Sequence, residues 1–376
     1  DWSSDVCSSD LAWVYDGRCR EAGHGPDCGP HVVRLRLDTS QPLAWEDLVY
    51  GPSAKDPAEI GDAVLRRSDG SPLYNLAVVV DDLDMEITHV IRGEDHLSNT
   101  PKHILLFEAL GVPLPKFAHL PLILNPDRTK MSKRKSQTAI SDYRAEGFLK
   151  EAIVNFLALL GWSTGSEDEI LGIDEIQARF DLEHVQKAGA VFDRTRLEWL
   201  NGQWIRKLSN DDLHARLRPF YDRAAAAGRI ERPARDEEIA ALLPLIRERI
   251  PLLSSAIELT DFLFVERLQH DPAILVPKRW DRTVALAALE AARPLIVDGI
   301  GEGDAPLLDA EDPLEARLRA LAETNGWKAG DLFMALRAAA TGRTATPPLF
   351  DSMRLLGRAA VTSRIDQAID LLRGVA

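Results

Sequence analysis

The sequence predicts an α/β nucleotide-binding part followed by an all-helical part, and three observations predict it. Short apolar runs bounded by turn residues follow one another from Val32 to Leu124, as strands of a sheet covered on both faces do. A well-punctuated helix separates two of these runs. The second run leads into a lysine-rich loop, giving the strand–helix–strand order of a right-handed crossover unit. From about Asn210 to the end, apolar residues recur at helical intervals in sequence rich in Ala, Leu, Arg and Glu.

The elements follow in order. Val32 to Leu37 alternates and reads as a strand, and Ala63-Val64-Leu65-Arg66 reads as a short one before the turn Ser68-Asp69-Gly70-Ser71-Pro72. Asn75 to Val80 is a nearly continuous apolar run read as a further strand, with Tyr74 at its start. Ile87 to Ile91 is another strand. Thr100 as N-cap, Pro101 at the first helical position and Gly111 at the end then delimit a helix. His119 to Leu124 returns as a strand. After Ser136 the pattern is almost wholly helical: Lys150 to Leu160 ends at Gly161, Leu197 to Ile205 has helical spacing, and Pro251, Pro277, Pro294 and Pro306 punctuate the remainder.

Composition narrows the function classes. The chain has 376 residues, a formal net charge of −14, 45% hydrophobic and 28% charged residues. These values fit a soluble metabolic enzyme of about two or three domains. The acidic total argues against a non-specific nucleic-acid binder, but leaves room for an RNA enzyme with local basic surface. No run of apolar residues is long enough to span a bilayer, and the first residues lack the basic and apolar regions of a secretory signal. Three cysteines (Cys7, Cys19, Cys28) form no even disulfide set, which points to a reducing cytoplasm. Residues 1–11 are Ser- and Asp-rich without periodicity and read as a spurious leader.

Three constellations carry chemistry. Lys130-Met131-Ser132-Lys133-Arg134 follows an apolar run and the turn Asn125-Pro126-Asp127. Lysines on flexible stems suit a polyphosphate whose charge grows as pyrophosphate departs. Arg92, in Val90-Ile91-Arg92-Gly93-Glu94-Asp95-His96, falls at the carboxyl end of a strand, where open α/β sheets bind ligands. There a guanidinium can pair with a carboxylate in bidentate fashion. Tyr74, after the Ser68–Pro72 turn, presents a hydroxyl that can reach a polar substrate group.

Together these segments resemble the glutamyl-tRNA synthetases of bacterial type, within the class I aminoacyl-tRNA synthetases. The resemblance runs through Arg66-Arg67-Ser68-Asp69-Gly70, Val79-Val80-Asp81-Asp82, Ile87 to Pro101, Phe117-Ala118-His119-Leu120-Pro121-Leu122 and Lys130 to Arg134. It continues through Glu146-Gly147-Phe148-Leu149, Leu159-Leu160-Gly161-Trp162-Ser163, Leu200-Asn201-Gly202, Thr341-Gly342 and Leu355-Leu356-Gly357. It implies a Rossmann-like catalytic part, incomplete here, then an all-α anticodon-binding region. It implies ATP-dependent activation of L-glutamate and transfer to the 3′ end of tRNA(Glu), with Mg²⁺ accompanying ATP. By the same resemblance Tyr74, Arg92 and Asp95 bind glutamate, while His96, Lys130, Ser132, Lys133 and Arg134 bind ATP. Lys130 and Lys133 act on the triphosphate. Arg249, Arg337, Thr346 and Leu349 meet the anticodon, and Arg249 favours an enzyme confined to glutamate tRNA.

The implied domains are a remnant of the acceptor-binding insertion over 12–67, the second half of the catalytic domain over 68–138, a helical stem-contact region over 139–210 and the anticodon-binding region over 211–376. The family's N-terminal His-x-Gly-His signature has no match, so the reading is of an N-terminally truncated chain with poor solubility. A non-catalytic tRNA-binding remnant is the alternative. Zinc is not expected: Cys19 matches one family ligand, but Glu21 stands where a histidine would be. A monomeric cytoplasmic protein, off the membrane, completes the expectation.

Overall fold

The strand Lys116–Leu120 is the centre of the first part of the molecule, because both of its faces are covered. Phe117 packs with Leu43, Val90 and Ile104 on one side, and Ala118 packs with Val49, Trp162, Leu171 and Val185 on the other. Adjacent strand residues point to opposite faces, so a strand buried twice reads as a continuous apolar run. The computed structural model describes residues 15, 17, 20, 22–23, 29–37, 42–131, 139–301, 307 and 312–374.

In chain order the elements are β1 (Val33–Arg34), β2 (Leu43–Asp47), β3 (Gly51–Lys55), α1 (Pro57–Ile60), β4 (Val64–Arg66), α2 (Tyr74–Asp84), β5 (His89–Gly93), α3 (Thr100–Leu110), β6 (Lys116–Leu120) and β7 (Ile123–Leu124). Then come α4 (Ile140–Glu146), α5 (Lys150–Leu159), α6 (Ile173–Arg179) and β8 (Ala190–Val191). The rest is helical: α7 (Arg194–Lys207), α8 (Asn210–Ala226), α9 (Asp236–Ile246), α10 (Ser255–Thr260), α11 (Pro272–Leu275), α12 (Arg282–Gly299), α13 (Pro313–Thr324), α14 (Ala329–Thr341), α15 (Leu349–Leu356) and α16 (Arg358–Arg373). The chain divides into two units, Asp1–Ser136 with Leu157–Asp193, and Gln137–Phe156 with Arg194–Ala376.

In the first unit the main sheet has the order β3-β2-β6-β5. The β2–β3 pair is an antiparallel hairpin, whereas β6 runs parallel to both β2 and β5. Helix α3 is the crossover between β5 and β6, and it lays Ile104 on the Phe117 face. Two small two-stranded pairs, β1 with β4 and β7 with β8, stand apart from this sheet.

The second unit has two helical cores. One is built from α5 and α7 to α10 around Ile205, Leu213, Leu217, Tyr221, Ile239 and Ile246. The other is built from α11 to α16 around Leu289, Leu318, Leu332, Leu336, Met353 and Ile365. Arg364 on α16 is buried and donates to the carbonyls of Ala340 at 3.0 Å, Phe262 at 2.9 Å and Val265 at 2.7 Å. Burial draws its pKa down to about 10.

The helical half agrees with the sequence pattern, as does the helix ended by Gly111, whose φ of 70° lies in the left-handed region that glycine tolerates. Other expectations need correction. Asn75–Val80 is not a strand but the first half of α2, and Tyr74 is that helix's first residue. The run continues helically through Asp81, Asp82 and Asp84, and it buries Val79 against Leu106 and Phe107 of α3. A short apolar run carries no period that distinguishes strand from buried helix. Thr100 is not an N-cap. A 3-10 turn, Glu94–Asn99, runs directly into α3, and the Thr100 hydroxyl is engaged elsewhere.

His119–Leu124 divides into β6 and β7 around Pro121, which cannot donate to a ladder. Only Val33–Arg34 of Val32–Leu37 pairs, and the strand expected over Ile87–Ile91 lies two residues later. Pro251 and Pro277 follow helices, but Pro294 lies inside α12, as Pro219 and Pro244 lie inside α8 and α9. Pro306 is outside the described residues. β8 is a short strand in the otherwise helical stretch.

Candidate active site

Strand alternation brings three polar side chains to one place. Arg92 lies two residues beyond Val90 on β5, and His119 two residues beyond Phe117 on β6, so both continue the face covered by α3. Arg92 and His119 are register partners. Asp47 ends β2 on the same face as Leu43 and Trp45. The three therefore cluster at the carboxyl ends of three adjacent strands, the ligand-binding end of a parallel sheet.

Arg92 is half-buried and held by neutral groups. Its Nε donates to His119 Nε2 at 3.1 Å, one Nη to His103 Nδ1 at 3.1 Å, and the other Nη to Thr100 Oγ1 at 2.8 Å and the His96 carbonyl at 3.4 Å. A guanidinium has no acceptor, so the facing ring nitrogens must be bare. The protons are then on the far nitrogens. His119 Nδ1 donates to Asp47 Oδ2 at 2.6 Å, and His103 Nε2 donates to Asn75 Oδ1 at 3.0 Å. Burial, with the Arg92 charge nearby, lowers the pKa of His119 and brings that of His103 down to about 3, so both rings are neutral.

Asp47 stays ionised although burial opposes it. Its carboxylate accepts from the backbone N–H groups of Val49, Tyr50 and His119 and from the His119 ring, and its pKa is lowered. Among the described residues no carboxylate forms an ion pair with Arg92. Desolvation lowers the guanidinium's own pKa, and arginine is the side chain that keeps its charge on burial. What remains is a fixed, partly buried positive charge on which the Asp82 and Asp47 carboxylates act through space, without an ion pair among the described residues.

The other predicted groups surround it. Tyr74 is exposed, and its hydroxyl lies 3.5 Å from His96 Nδ1, which Asn99 Nδ2 also approaches at 3.3 Å. The ring of Tyr74 is 6.1 Å from that of His103. Asp95 accepts from Lys130 Nζ at 2.9 Å, and that bond holds its pKa low. Gly93 leaves the room this needs: a Cβ there would come within 2.6 Å of Asp95 Oδ1. Glu94 points away, joining the Tyr50 hydroxyl and the Leu122 N–H. Tyr74, Arg92, Asp95, His96 and Lys130 thus come together. Ser132, Lys133 and Arg134 lie outside the described residues.

In the second unit, Arg337 on α14 donates to Thr346 Oγ1 and, at 2.9 Å, to the Pro347 carbonyl. Burial lowers its pKa, with the like charge of Arg249 adding to the effect, so Arg249 is a near neighbour. Arg249 itself is exposed and donates to the Leu245 carbonyl at 3.1 Å. Leu349 is buried in the core around α12 and α16, so its side chain is a packing element.

Residues 18–199 match the family model for class I tRNA synthetases (E and Q), catalytic domain, and residues 212–369 match that for an anticodon binding domain. A glutamate–tRNA ligase of Dehalococcoides mccartyi is 40% identical over 358 residues, which is 94% of this chain and 71% of the relative. One from Nitratidesulfovibrio vulgaris is 43% identical over 359 residues, 95% and 74% of the two chains. The chain belongs to the glutamate–tRNA ligase family. By that membership it is an aminoacyl-tRNA ligase. A crystal structure of a glutamate tRNA ligase from Elizabethkingia meningosepticum, in complex with its amino acid, superposes with a TM-score of 0.78 at 29% identity. That alignment covers 96% of this chain and 75% of the other.

For a member of this family, sequence reasoning missed the support beneath Arg92: Asp47, Asn75, Thr100, His103 and His119. Thr100 was assigned to a helix cap and Asn75 to a strand. His119 carried a signal, since a histidine inside an apolar run is a polar group that burial obliges to find partners. Among the described residues no group of three or more His, Cys, Asp or Glu side chains is arranged to hold a metal. Cys7, Cys19, Glu21 and Cys28, on which the zinc expectation rests, lie outside them. No helix among the described residues is long and apolar enough to cross a membrane.

Proposed function

We propose that the chain binds L-glutamate with its side-chain carboxylate on Arg92 and joins it to tRNA(Glu) at the expense of ATP. The observation that carries this reading is the Arg92 charge, fixed at the ends of β5 and β6 by neutral acceptors and, among the described residues, in no ion pair with a carboxylate. A carboxylate presents only acceptors to a guanidinium N–H, whereas a carboxamide presents one acceptor oxygen and an NH2 group that the positive charge disfavours. Tyr74 stands beside it to donate its hydroxyl to the same carboxylate.

The glutamate α-carboxylate attacks the α-phosphate of ATP. A new carboxyl–phosphate bond forms, the bond to the β-phosphate oxygen breaks, and pyrophosphate leaves. The ribose hydroxyl of the terminal tRNA adenosine then attacks the acyl carbon and releases AMP. Lys130 and Lys133 stabilise charge on the departing pyrophosphate, and His96, Ser132 and Arg134 contact the nucleotide. Asp95 orients Lys130 and borders the amino acid. Class I membership implies ATP use, and Mg²⁺ enters with the nucleotide.

Arg249, Arg337 and Thr346 are proposed to meet the anticodon, where an exposed guanidinium can stack on an unpaired base. The domain reading proposed with this has the acceptor-side segment over 12–67, the catalytic segment over 68–138, the stem-contact region over 139–210 and the anticodon region over 211–376. A cytoplasmic monomer fits this role. ATP–pyrophosphate exchange dependent on L-glutamate, and not on L-glutamine, tests the first step. A folded chain that binds tRNA(Glu) yet neither exchanges pyrophosphate nor binds glutamate is the outcome that overturns it in favour of a non-catalytic tRNA-binding role.

A further inference from the structure

We propose that Asp47, His103 and His119 are positioning residues that make Arg92 selective for a carboxylate over a carboxamide, by presenting it with two bare imidazole nitrogens. The inference rests on the reading that Arg92 receives the side chain of the amino acid.

Each ring nitrogen facing Arg92 must accept, and each far nitrogen must therefore carry the hydrogen if the ring is neutral. Each far nitrogen has a partner that requires that hydrogen: the Asp47 carboxylate at 2.6 Å for His119, and the Asn75 carbonyl oxygen at 3.0 Å for His103. Asp47 is itself held by three backbone N–H groups, so its orientation is set by the end of β2 and not by the histidine alone. The Asp47, His103 and His119 side chains are buried, so water does not compete for the His119–Asp47 bond.

Two consequences follow for Arg92. The first is geometric. Its Nε and both Nη atoms are engaged, so the plane of the fork is fixed before a ligand arrives. The second is electrostatic. The immediate acceptors carry no charge, whereas a carboxylate in either histidine's place would neutralise the guanidinium locally. It would also remove its preference for an anion. The negative charges near it, on Asp82 and Asp47, act on it through space and not through a direct bond. In the opposite tautomer an N–H would face an N–H, and the fork would be driven out of its plane.

The test uses the whole chain. Long-range ¹⁵N spectra of the imidazoles report the tautomers, and calorimetric titration with L-glutamate and L-glutamine reports selectivity. His119 is expected to carry its proton on Nδ1 and His103 on Nε2. His119→Gln keeps an acceptor near the position of Nε2 and is expected to keep the wild-type glutamate-to-glutamine ratio within about threefold. His119→Leu and Asp47→Asn are expected to lower glutamate affinity roughly tenfold to a hundredfold, with glutamine little changed. Should His119→Leu fail to fold, His103→Leu removes the other acceptor and reads the same ratio. The opposite tautomers, or a wild-type preference that persists in these variants, overturn the inference alone, as does an equal loss for both amino acids. A wild-type chain that prefers neither amino acid overturns the glutamate reading, and this inference with it.

Discussion

The Lys130 ammonium lies 2.9 Å from a carboxylate oxygen of Asp95, which joins the start of the lysine-rich loop to the motif that closes β5. Both side chains are largely open to solvent, so the pair contributes little to folding and the lysine can exchange its carboxylate partner for another anion. Asp95→Asn is expected to change unfolding free energy by less than about 1 kcal/mol in denaturant titration. Lys130→Ala is expected to slow glutamate-dependent pyrophosphate exchange by roughly tenfold to a hundredfold, with smaller effects on glutamate affinity. Exchange at the wild-type rate would remove Lys130 from the chemistry.

Arg92→Lys tests the fork. A lysine supplies the charge but not the planar array of donors, and it leaves His103 or His119 without a partner. Glutamate affinity is expected to fall roughly tenfold or more, read by calorimetry. A lysine variant that binds as tightly as wild type would show that charge alone suffices.

His103 makes the site sensitive to acid. Its folded pKa is about 3 against an ordinary 6.5, through burial first and the Arg92 charge second. A histidine whose folded pKa is lowered stabilises the fold most above its unfolded pKa. That contribution is lost as pH falls from 6.5 toward 3, because the unfolded chain takes up the proton first. His103→Asn is expected to lose less stability than wild type across that window, by an amount on the order of 2 kcal/mol. Parallel denaturant curves at pH 7 and pH 4 check it; equal losses in the two proteins would refute it.

Arg249, proposed to meet the anticodon, and Leu349, buried in the core, are expected to separate recognition from packing. Arg249 is exposed, so Arg249→Ala is expected to weaken tRNA(Glu) binding severalfold, to reduce its salt dependence and to leave thermal stability unchanged. Leu349→Ala is expected instead to cost about 2 to 4 kcal/mol of folding stability, because the side chain is buried in the core. Binding assays and melting curves on both variants distinguish these outcomes.

Arg364 is a buried cation whose two Nη groups donate to three backbone carbonyls, while its buried Nε has no partner among the described residues. Arg364→Leu leaves all three unpaired and is expected to destabilise the helical unit by about 2 to 4 kcal/mol. Because those carbonyls follow α10 and end α14, the two helical cores are expected to lose cooperativity. Hydrogen exchange would show one core opening before the other. A single transition with unchanged midpoint would contradict this.

Much of the site was legible because its residues have strong local meaning. Arg92 after a short apolar strand, and lysines after a strand and turn, announce themselves by order and residue type. Gly111 is legible because left-handed backbone at a helix end suits glycine. Asn75–Val80 was misread because the five apolar residues after Asn75 have no period of their own. The packing of Val79 against Leu106 and Phe107, some thirty residues on, decides that they are a helix.

By itself the sequence determined the family, the order of α/β and helical parts, and the charged groups proposed to meet substrates, since these depend on residues near one another in the chain. Only the tertiary structure decided that Asp47, His119 and Arg92 share one face at the ends of three strands, and that two imidazoles face the guanidinium without protons. Burial, register and tautomer depend on which strands become neighbours, and that is a property of the assembled sheet.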